Sequence, residues 1–544
     1  MVNLSAFIDY HARVSPQREA VLYDGERITY ADLALRLRAL AAVFAGRGVG
    51  AGDVVAVLMK NSAAYLDIAF AVSYLGAVLL PVNYRLSKQE VAYIVGDSGA
   101  RLLCVDEELT ASVGGTDAVV VFNRAAQRDP RVLGGQDAPP VAGRGPQDLM
   151  RLMYTSGTTA HPKGVQHTYA NFYWKNMDHV LALGVSAASR CNVVGPLYHV
   201  GGMDLPGINV LWQGGLLCVH REFDPEATVA AIAAERLNCA WMAPVMTGRI
   251  LALEGRDRYD VASLRWCVGG GEKTPESRIR AFSEYFTGAR YVDGYGLTET
   301  CGGDTIMEAG YELAKIGSTG RATAHVELRI RDESGQDLPP GSDGEVCLRG
   351  PKVMPGYWNA PQKNAESFFA DGFFRTGDVG HVDEDGFLFL TDRRKDMIIS
   401  GGENIASSEV ERVIHELPQI AECAVIGVPD ARWGERPVAL VVLRDGAQLD
   451  ENALRAPIAG RGWPPSRCPS ASCCVARCRA TRPARCSSAC CATRWPATRE
   501  GAGFPEKKNG AEAPFFFRVI GGPRRARTYD PLIKSHRKSA FIRV

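Results

Sequence analysis

The sequence predicts an α/β fold in which parallel or mixed sheets are flanked by helices. Three observations point there. From residue 53 to 105, short apolar runs suited to strands alternate with longer helical runs, the order that builds a parallel sheet with helices on both faces. Two further apolar runs, 149–154 and 265–268, enter loops dense in glycine and hydroxyl residues. A chain of 544 residues also exceeds what one hydrophobic core organises, so two or more domains are expected.

Taken in order, residues 1–50 read as helix, hairpin, helix. Gly25-Glu26 supplies the turn, and Leu33, Leu37, Leu40 and Phe44 supply the apolar spacing of a helix over 31–46. Residues 54–59, 78–82 and 102–105 read as strands, with helices over 62–76 and 87–95. Residues 107–147 read as peripheral loops with one strand at 118–122. A strand at 149–154 precedes a hydroxyl and glycine loop, and a helical run over 168–183 follows it. Later come strands at 265–268, 344–349 and 386–390, a helix over 407–417, and strands at 423–428 and 438–443.

The apolar fraction of 46% and charged fraction of 23% are those of an ordinary globular protein. A net charge of +1 gives no reason to expect nucleic acid as a partner. No signal peptide is expected from the first residues. The most apolar segment, 68–80, is too short to span a bilayer, so no transmembrane segment is expected and a cytoplasmic location is the default. Of 15 cysteines, seven lie between Cys468 and Cys491; the other eight, as in Leu103-Cys104-Val105, read as small buried hydrophobes in a reducing compartment. An oligomer is left open.

The stretch Tyr154-Thr155-Ser156-Gly157-Thr158-Thr159-Ala160-His161-Pro162-Lys163-Gly164-Val165 combines small hydroxyl residues, glycine and one fixed positive charge. Backbone N–H groups approach an anion closely where side chains are small; the hydroxyls add donors and Lys163 adds charge. Strand, loop, lysine and helix thus suggest a phosphate cradle. A second motif, Asp293-Gly294-Tyr295-Gly296-Leu297-Thr298-Glu299-Thr300, suits a nucleotide: Tyr295 to stack on a purine, Thr298 to donate to a phosphate, and Glu299 to offer Mg²⁺ a hard oxygen. The other segments are dull when read alone. His199 is an ordinary surface or core histidine, Gly269-Gly270-Gly271 a turn, Asp378 a turn cap, and Asp392-Arg393-Arg394-Lys395-Asp396 a solvated charge cluster.

Together these stretches resemble the adenylate-forming superfamily of acyl-CoA synthetases, aryl-CoA ligases, luciferases and peptide-synthetase adenylation domains. That family has TSGTTGxPKG at the first motif, with Ala160 here in place of the glycine at its sixth position, and YGxTE at the second, matched in full. The resemblance implies a large N-terminal domain, 1–391, including a β-barrel-like part. It implies a hinge at 392–396 and a small α+β C-terminal domain from 397. Thr155, Ser156, Gly157, Thr158, Thr159 and Lys163 would hold phosphates. Gly269, Gly270, Gly271, Asp293 and Tyr295 would lie beside the adenine and the acyl group. His199 would stand near the acyl carboxylate, with the segment from Met203 to Trp212 lining or neighbouring the acyl pocket, and Trp241 and Met242 suggesting apolar walls. Asp378 and Arg393 would hold the ribose, Lys395 would be the pivot, and Gly401, Gly402 and Glu403 would line the thiol tunnel. The implied reaction is a two-step ligation using ATP, Mg²⁺ and coenzyme A. A carboxylate attacks the α-phosphate to give an acyl-adenylate and pyrophosphate, and the thiol then displaces AMP. A fatty acid ranks slightly above an aryl acid such as a cinnamate.

The resemblance breaks near residue 460, leaving a truncated C-terminal domain, 397–460. The family continues with a Pro-x-x-x-x-Gly-Lys segment whose lysine serves adenylation, and no such segment occurs here. Residues 461–500 instead hold eight arginines, seven cysteines, one acid and no lysine or histidine, without an apolar period. Paired cysteines without CxxC spacing make a poor metal site. That composition is what GC-rich codons give out of frame, so residues 461–544 are expected to form an aberrant, disordered tail. Such a chain would adenylate poorly, or bind nucleotide without turnover.

Overall fold

The computed structural model describes residues 3–449 apart from 136, 156–161, 272–273, 394–397, 401–402, 406, 431–433, 445–446 and 448. The tail set apart above lies outside the described residues. The chain divides into two compact units, Met1–Thr376 with His381–Phe389, and Gly377–Gly380 with Leu390–Val544.

The first unit is built on two large sheets. One has six strands in the order Val119–Phe122, Leu102–Asp106, Val54–Leu58, Val78–Pro81, Leu149–Thr155, Lys163–Thr168; all neighbours are parallel except the last pair. The other has nine, in the order Arg321–Ala322, Thr305–Ile306, Arg290–Tyr295, Trp266–Gly269, Cys239–Trp241, Arg190–Val193, Leu216–Val219, Glu19–Tyr23, Glu26–Thr29. Its middle is parallel and its edges antiparallel. The alternation of strand and helix over 53–105 has the expected result: every residue of the helix Ala63–Tyr74 is buried. Its lone carboxylate, Asp67, is met bidentately by the buried Arg36 at 2.6–3.2 Å. Helix starts are set locally. Thr29 with Asp32, Ser87 with Glu90 and Thr168 with Asn171 form reciprocal capping boxes.

One core runs from the N-terminal helices to the inner faces of both sheets, through Leu37, Phe44, Tyr65, Phe70, Tyr169, Phe172 and Val268. A second, around Phe282, Phe286, Tyr291 and Ile232, covers the other face of the nine-stranded sheet. The peripheral stretch 107–147 holds the expected strand, Val119–Phe122, together with a short helix, Arg124–Arg128, and two helical turns. Where a barrel-like part is expected, the described residues form a four-stranded sheet, Glu327–Arg331, Gly344–Arg349, Phe374–Val382 and Leu388–Arg393.

The second unit is α+β. Its sheet runs Glu403–Ile405, Ile398–Ser400, Gly434–Leu443, Ile420–Asp430, and every pairing is antiparallel. The helix Ser407–His415 contributes Val410, Val413 and Ile414 to a core with Ile398, Ile420, Val425 and Val441. Among the described residues no helix is long and apolar enough to cross a membrane. The eight described cysteines are free thiols, six of them buried.

Candidate active site

Four neighbouring parallel strands of the nine-stranded sheet bring the motifs together. Arg190–Val193 leads to the Gly195–His199 segment, and Cys239–Trp241 ends on Trp241. Trp266–Gly269 enters the glycine run, and Arg290–Tyr295 enters the Thr298–Glu299 turn. Gly269 lies directly opposite Asp293 in the parallel register. The carboxyl edge of an open α/β sheet is where ligands bind, because the chain leaves each strand there into a loop.

The glycine run divides by cause. A side chain at Gly269 would overlap the Tyr291 ring, and one at Gly270 would press on the Gly294 carbonyl, so packing alone demands glycine at both. Gly271 has φ +91° and nothing within 4 Å of where a Cβ would stand, which leaves it as the glycine open to a ligand. Asp293 and Tyr295 are buried, and the Asp293 carboxylate accepts from the Gly294 N–H at 3.0 Å.

His199 is exposed at the start of the turn Val200–Met203; its Nδ1 accepts from the Gly201 N–H at 3.1 Å. The Trp241 indole lies 6.3 Å from its ring, tilted 31°, and occupies the space over Gly195 and Gly201, where side chains would collide with it. Of the other pocket residues read from sequence, Met242 is buried in the second core on the opposite side, and Trp212 packs edge-on to Tyr173 at 5.7 Å. Met203 is buried in the main core. Met203 meets His199 through its main-chain N–H, which donates to the His199 carbonyl at 3.0 Å, and Trp241 is the one of these four whose ring stands beside the His199 ring.

The candidate phosphate loop leaves the six-stranded sheet, and here the structure corrects the expected order of strand, loop and helix. Lys163 opens a strand, Lys163–Thr168, that returns antiparallel along Leu149–Thr155, with Thr155 opposite Lys163. The helix Tyr169–Leu183 begins only after it. Residues Ser156, Gly157, Thr158 and Thr159 lie outside the described residues, as do Lys395, Gly401 and Gly402. Asp378 is buried within Phe374–Val382, Arg393 ends Leu388–Arg393, and Glu403 opens Glu403–Ile405; all three belong to the second unit.

Thr298 and Glu299 sit on a single helical turn, Thr298–Thr300, half-buried. The Glu299 carboxylate accepts from the Tyr357 hydroxyl at 3.0 Å. Lys163 Nζ stands 5.8 Å from the centroid of the same Tyr357 ring. Burial and the charge of Lys363 lower the Lys163 pKa, against a smaller opposing pull from Glu299. Lysine and glutamate thus flank one tyrosine.

Beneath the turn lie residues that the sequence reading missed. His167 Nδ1 accepts from Arg151 Nε at 3.1 Å, so its Nε2 carries the proton and donates to the Thr298 carbonyl at 2.6 Å. His179 repeats the pattern: Nδ1 accepts from Asn209 at 3.2 Å and Nε2 donates to the Gly302 carbonyl at 3.1 Å. Burial, with Arg151 beside it, lowers the His167 pKa to about 3, and burial with Lys352 and Lys175 holds His179 well below its ordinary value. Two neutral histidines therefore pin the two ends of the turn. Arg151 in turn grips Asp204 bidentately at 3.1 and 2.7 Å, with Lys175 3.5 Å away. Nothing in a single sequence marks a lone histidine or lysine as buried, and no spacing signal singles these out.

This arrangement of a sheet edge, a hydroxyl and lysine hairpin and a Thr-Glu turn has known counterparts. The residue pattern of the AMP-binding enzyme family matches residues 8–358, and that of the AMP-binding enzyme C-terminal domain matches 409–485, past the point near 460 where the sequence reading places its break. The chain belongs to the AMP-binding, adenylate-forming enzyme family and is an acyl- or aryl-acid CoA ligase that uses ATP, Mg²⁺ and coenzyme A. It is 38% identical over 450 residues to a feruloyl-CoA synthase of Amycolatopsis sp, covering 82% of this chain and 89% of the relative. It is 33% identical to a long-chain-fatty-acid–CoA ligase of Mycobacterium tuberculosis, covering 81% and 89%. Among solved structures, the o-succinylbenzoate CoA synthetase of Bacillus subtilis with its acyl-adenylate superposes with a TM-score of 0.77 at 28% identity, covering 86% of this chain and 94% of that one.

Proposed function

We propose that the acid is an aryl acid of the hydroxycinnamate or arylacetate kind. The observation that carries this is Trp241, whose flat indole fills the space over two glycines beside His199 and offers a stacking wall to a planar ring. The relatives named for feruloyl-CoA synthesis, at 38% identity, and indoleacetate–CoA ligation, at 36%, support it. A fatty acid is the second reading, favoured by the fatty-acid ligase at 33% identity. The sequence alone ranks the two acids the other way.

In this reading Lys163, with the backbone and hydroxyls of 155–159, holds the ATP phosphates. Thr298 orients them, and Asp378 and Arg393 hold the ribose. Lys395 is the pivot of a hinge at 392–396, between a nucleotide domain and a smaller one, and Gly401, Gly402 and Glu403 line the path of the thiol. The Glu299 carboxylate, a hard oxygen donor that accepts from the Tyr357 hydroxyl, would be the residue to hold a magnesium ion. Bound there, the ion would neutralise charge on the phosphates during transfer. Gly271 lies open toward the adenine side, and His199 stands by the acid. A cytoplasmic location agrees with eight free thiols among the described residues.

The test uses non-hydrolysable acyl-adenylate mimics with the full chain, so that it reads binding even if turnover is poor. A cinnamoyl mimic is expected to bind at least about tenfold more tightly than a long-alkyl one, roughly the worth of one aromatic stacking contact. The reverse order would install the fatty-acid reading. Alongside, ATP–pyrophosphate exchange is expected to be about 10²–10³ slower than thioester formation from supplied adenylate, because the distal lysine is missing. Equal rates would contradict that.

A further inference from the structure

The segment from Gly350 to Trp358 crosses between the two parts of the site that come from different sheets. Toward the hairpin, the Trp358 N–H donates to the Gly164 carbonyl at 2.7 Å, and the Gln166 N–H donates to the Gly356 carbonyl at 3.2 Å. Val165 and Tyr357 form a β-bridge. Toward the turn, the Met354 N–H donates to the Glu299 carbonyl at 2.8 Å, and the Tyr357 hydroxyl donates to the Glu299 carboxylate. Lys352, fully buried, donates to the Gly302 and Gly303 carbonyls at 3.0 and 2.7 Å and pairs with Asp304 at 3.0 Å. Asp304 accepts from the Thr300 hydroxyl. The segment is itself held from behind, where Asn171 Nδ2 donates to the Pro351 and Val353 carbonyls, both at 2.9 Å.

We propose that residues 350–358 are a positioning strap that fixes the Lys163 strand and the Glu299 turn against each other, with Lys352 and Tyr357 as its two working side chains. Lys352 holds the far side of the turn and Tyr357 holds the carboxylate itself. Neither touches substrate in this account; both act through Glu299. The inference rests on the reading of Glu299 as the magnesium ligand. Its specific consequence is that the strap matters for nucleotide bound through magnesium and not for nucleotide bound through ribose and base.

The test measures affinity of the full chain for ATP with magnesium, for ATP with a chelator, and for AMP, by displacement of a fluorescent nucleotide. Tyr357→Phe keeps the ring against Val165 and Lys163 and removes one O–H donor to a charged group. It is expected to weaken magnesium-dependent ATP binding about tenfold while leaving AMP and chelated ATP unchanged. Lys352→Met alone strands Asp304, so Lys352→Met with Asp304→Asn is the deciding variant, and the same magnesium-specific loss is expected from it. Glu299→Gln separates the two ideas. If it leaves magnesium-dependent binding intact, the reading of Glu299 fails. If it abolishes that binding while Tyr357→Phe and the double variant match the parent chain, the strap is overturned. An equal loss of AMP and magnesium–ATP affinity in the strap variants would show general loosening and also overturn it.

Discussion

Between pH 6.5 and 4 the first unit is expected to lose stability steeply, because three of its histidines are held neutral. The His167 and His220 pKa values are lowered to about 3 and about 4, chiefly by burial, and His179 lies well below its ordinary value. In the unfolded chain all three titrate near 6.5. Above that pH neither state carries the protons and the native form keeps its full stability. As pH falls below 6.5 the unfolded chain takes up protons that the fold refuses. Each such group then costs about 1.4 kcal/mol per pH unit, roughly 4 for the three together. Urea midpoints measured at a series of pH values check this. His220→Gln, which cannot charge, should remove about a third of the slope. A midpoint that stays level from pH 7 to 5 would refute the assignment. His167 and His179 hold the ends of the Thr298 turn through their Nε2 protons while their Nδ1 atoms accept, so protonation of either breaks a bond beneath the motif. In the native form both stay neutral across this window, so nucleotide affinity should hold until the fold itself gives way.

Asp204→Ala is expected to destabilise the first unit by about 3–5 kcal/mol, the usual result of leaving buried charges without their partner. Arg151, Lys175 and Asp204 are all at most 1% exposed. Burial raises the Asp204 pKa, yet Arg151 and Lys175 outweigh it and hold the carboxylate at about 2. The charge is therefore kept through ordinary pH, and its contribution disappears only as pH falls from about 4 toward 2. Removing it strands two cations and frees the arginine that orients His167. The exposed pair Arg27–Glu19 is the contrast: Arg27→Ala should shift the urea midpoint by less than about 1 kcal/mol equivalent. Comparable effects from the two substitutions would argue against a dry network under the turn.

Much of the fold is legible because its elements obey one period each. The strand Val54–Leu58, the wholly buried helix Ala63–Tyr74 and the strand Leu102–Asp106 are apolar runs of the right length, and the helix starts are written by Ser or Thr three residues before Asp, Glu or Asn. The strand Lys163–Thr168 is not legible. It is nearly all polar, and its buried His167 is met by Arg151, which donates to it from the paired strand, and by the Thr298 carbonyl. The motif Asp293–Glu299 suggests a nucleotide and the resemblance adds Gly269–Gly271, but that they stand on adjacent strands follows from the sheet order. Lys352 and Tyr357 escape notice because most of what the strap binds is main chain, which leaves no trace in side-chain spacing. Gly269 and Gly270, placed beside the adenine by the resemblance, also have a packing reason to be glycine that the sequence does not show.

The hairpin at residues 149–168 also decides where the attraction for a nucleotide comes from. Six residues of strand separate Lys163 from the start of the helix Tyr169–Leu183, roughly 20 Å at about 3.4 Å per residue. A helix dipole fades within its first turn, so this one is out of range. In the proposed site, the hairpin's own long-range pull would come from the Lys163 ammonium, a point charge that dissolved ions can shield. Tightness for ATP should accordingly slacken as ionic strength rises, more than it would in a site seated on a helix end.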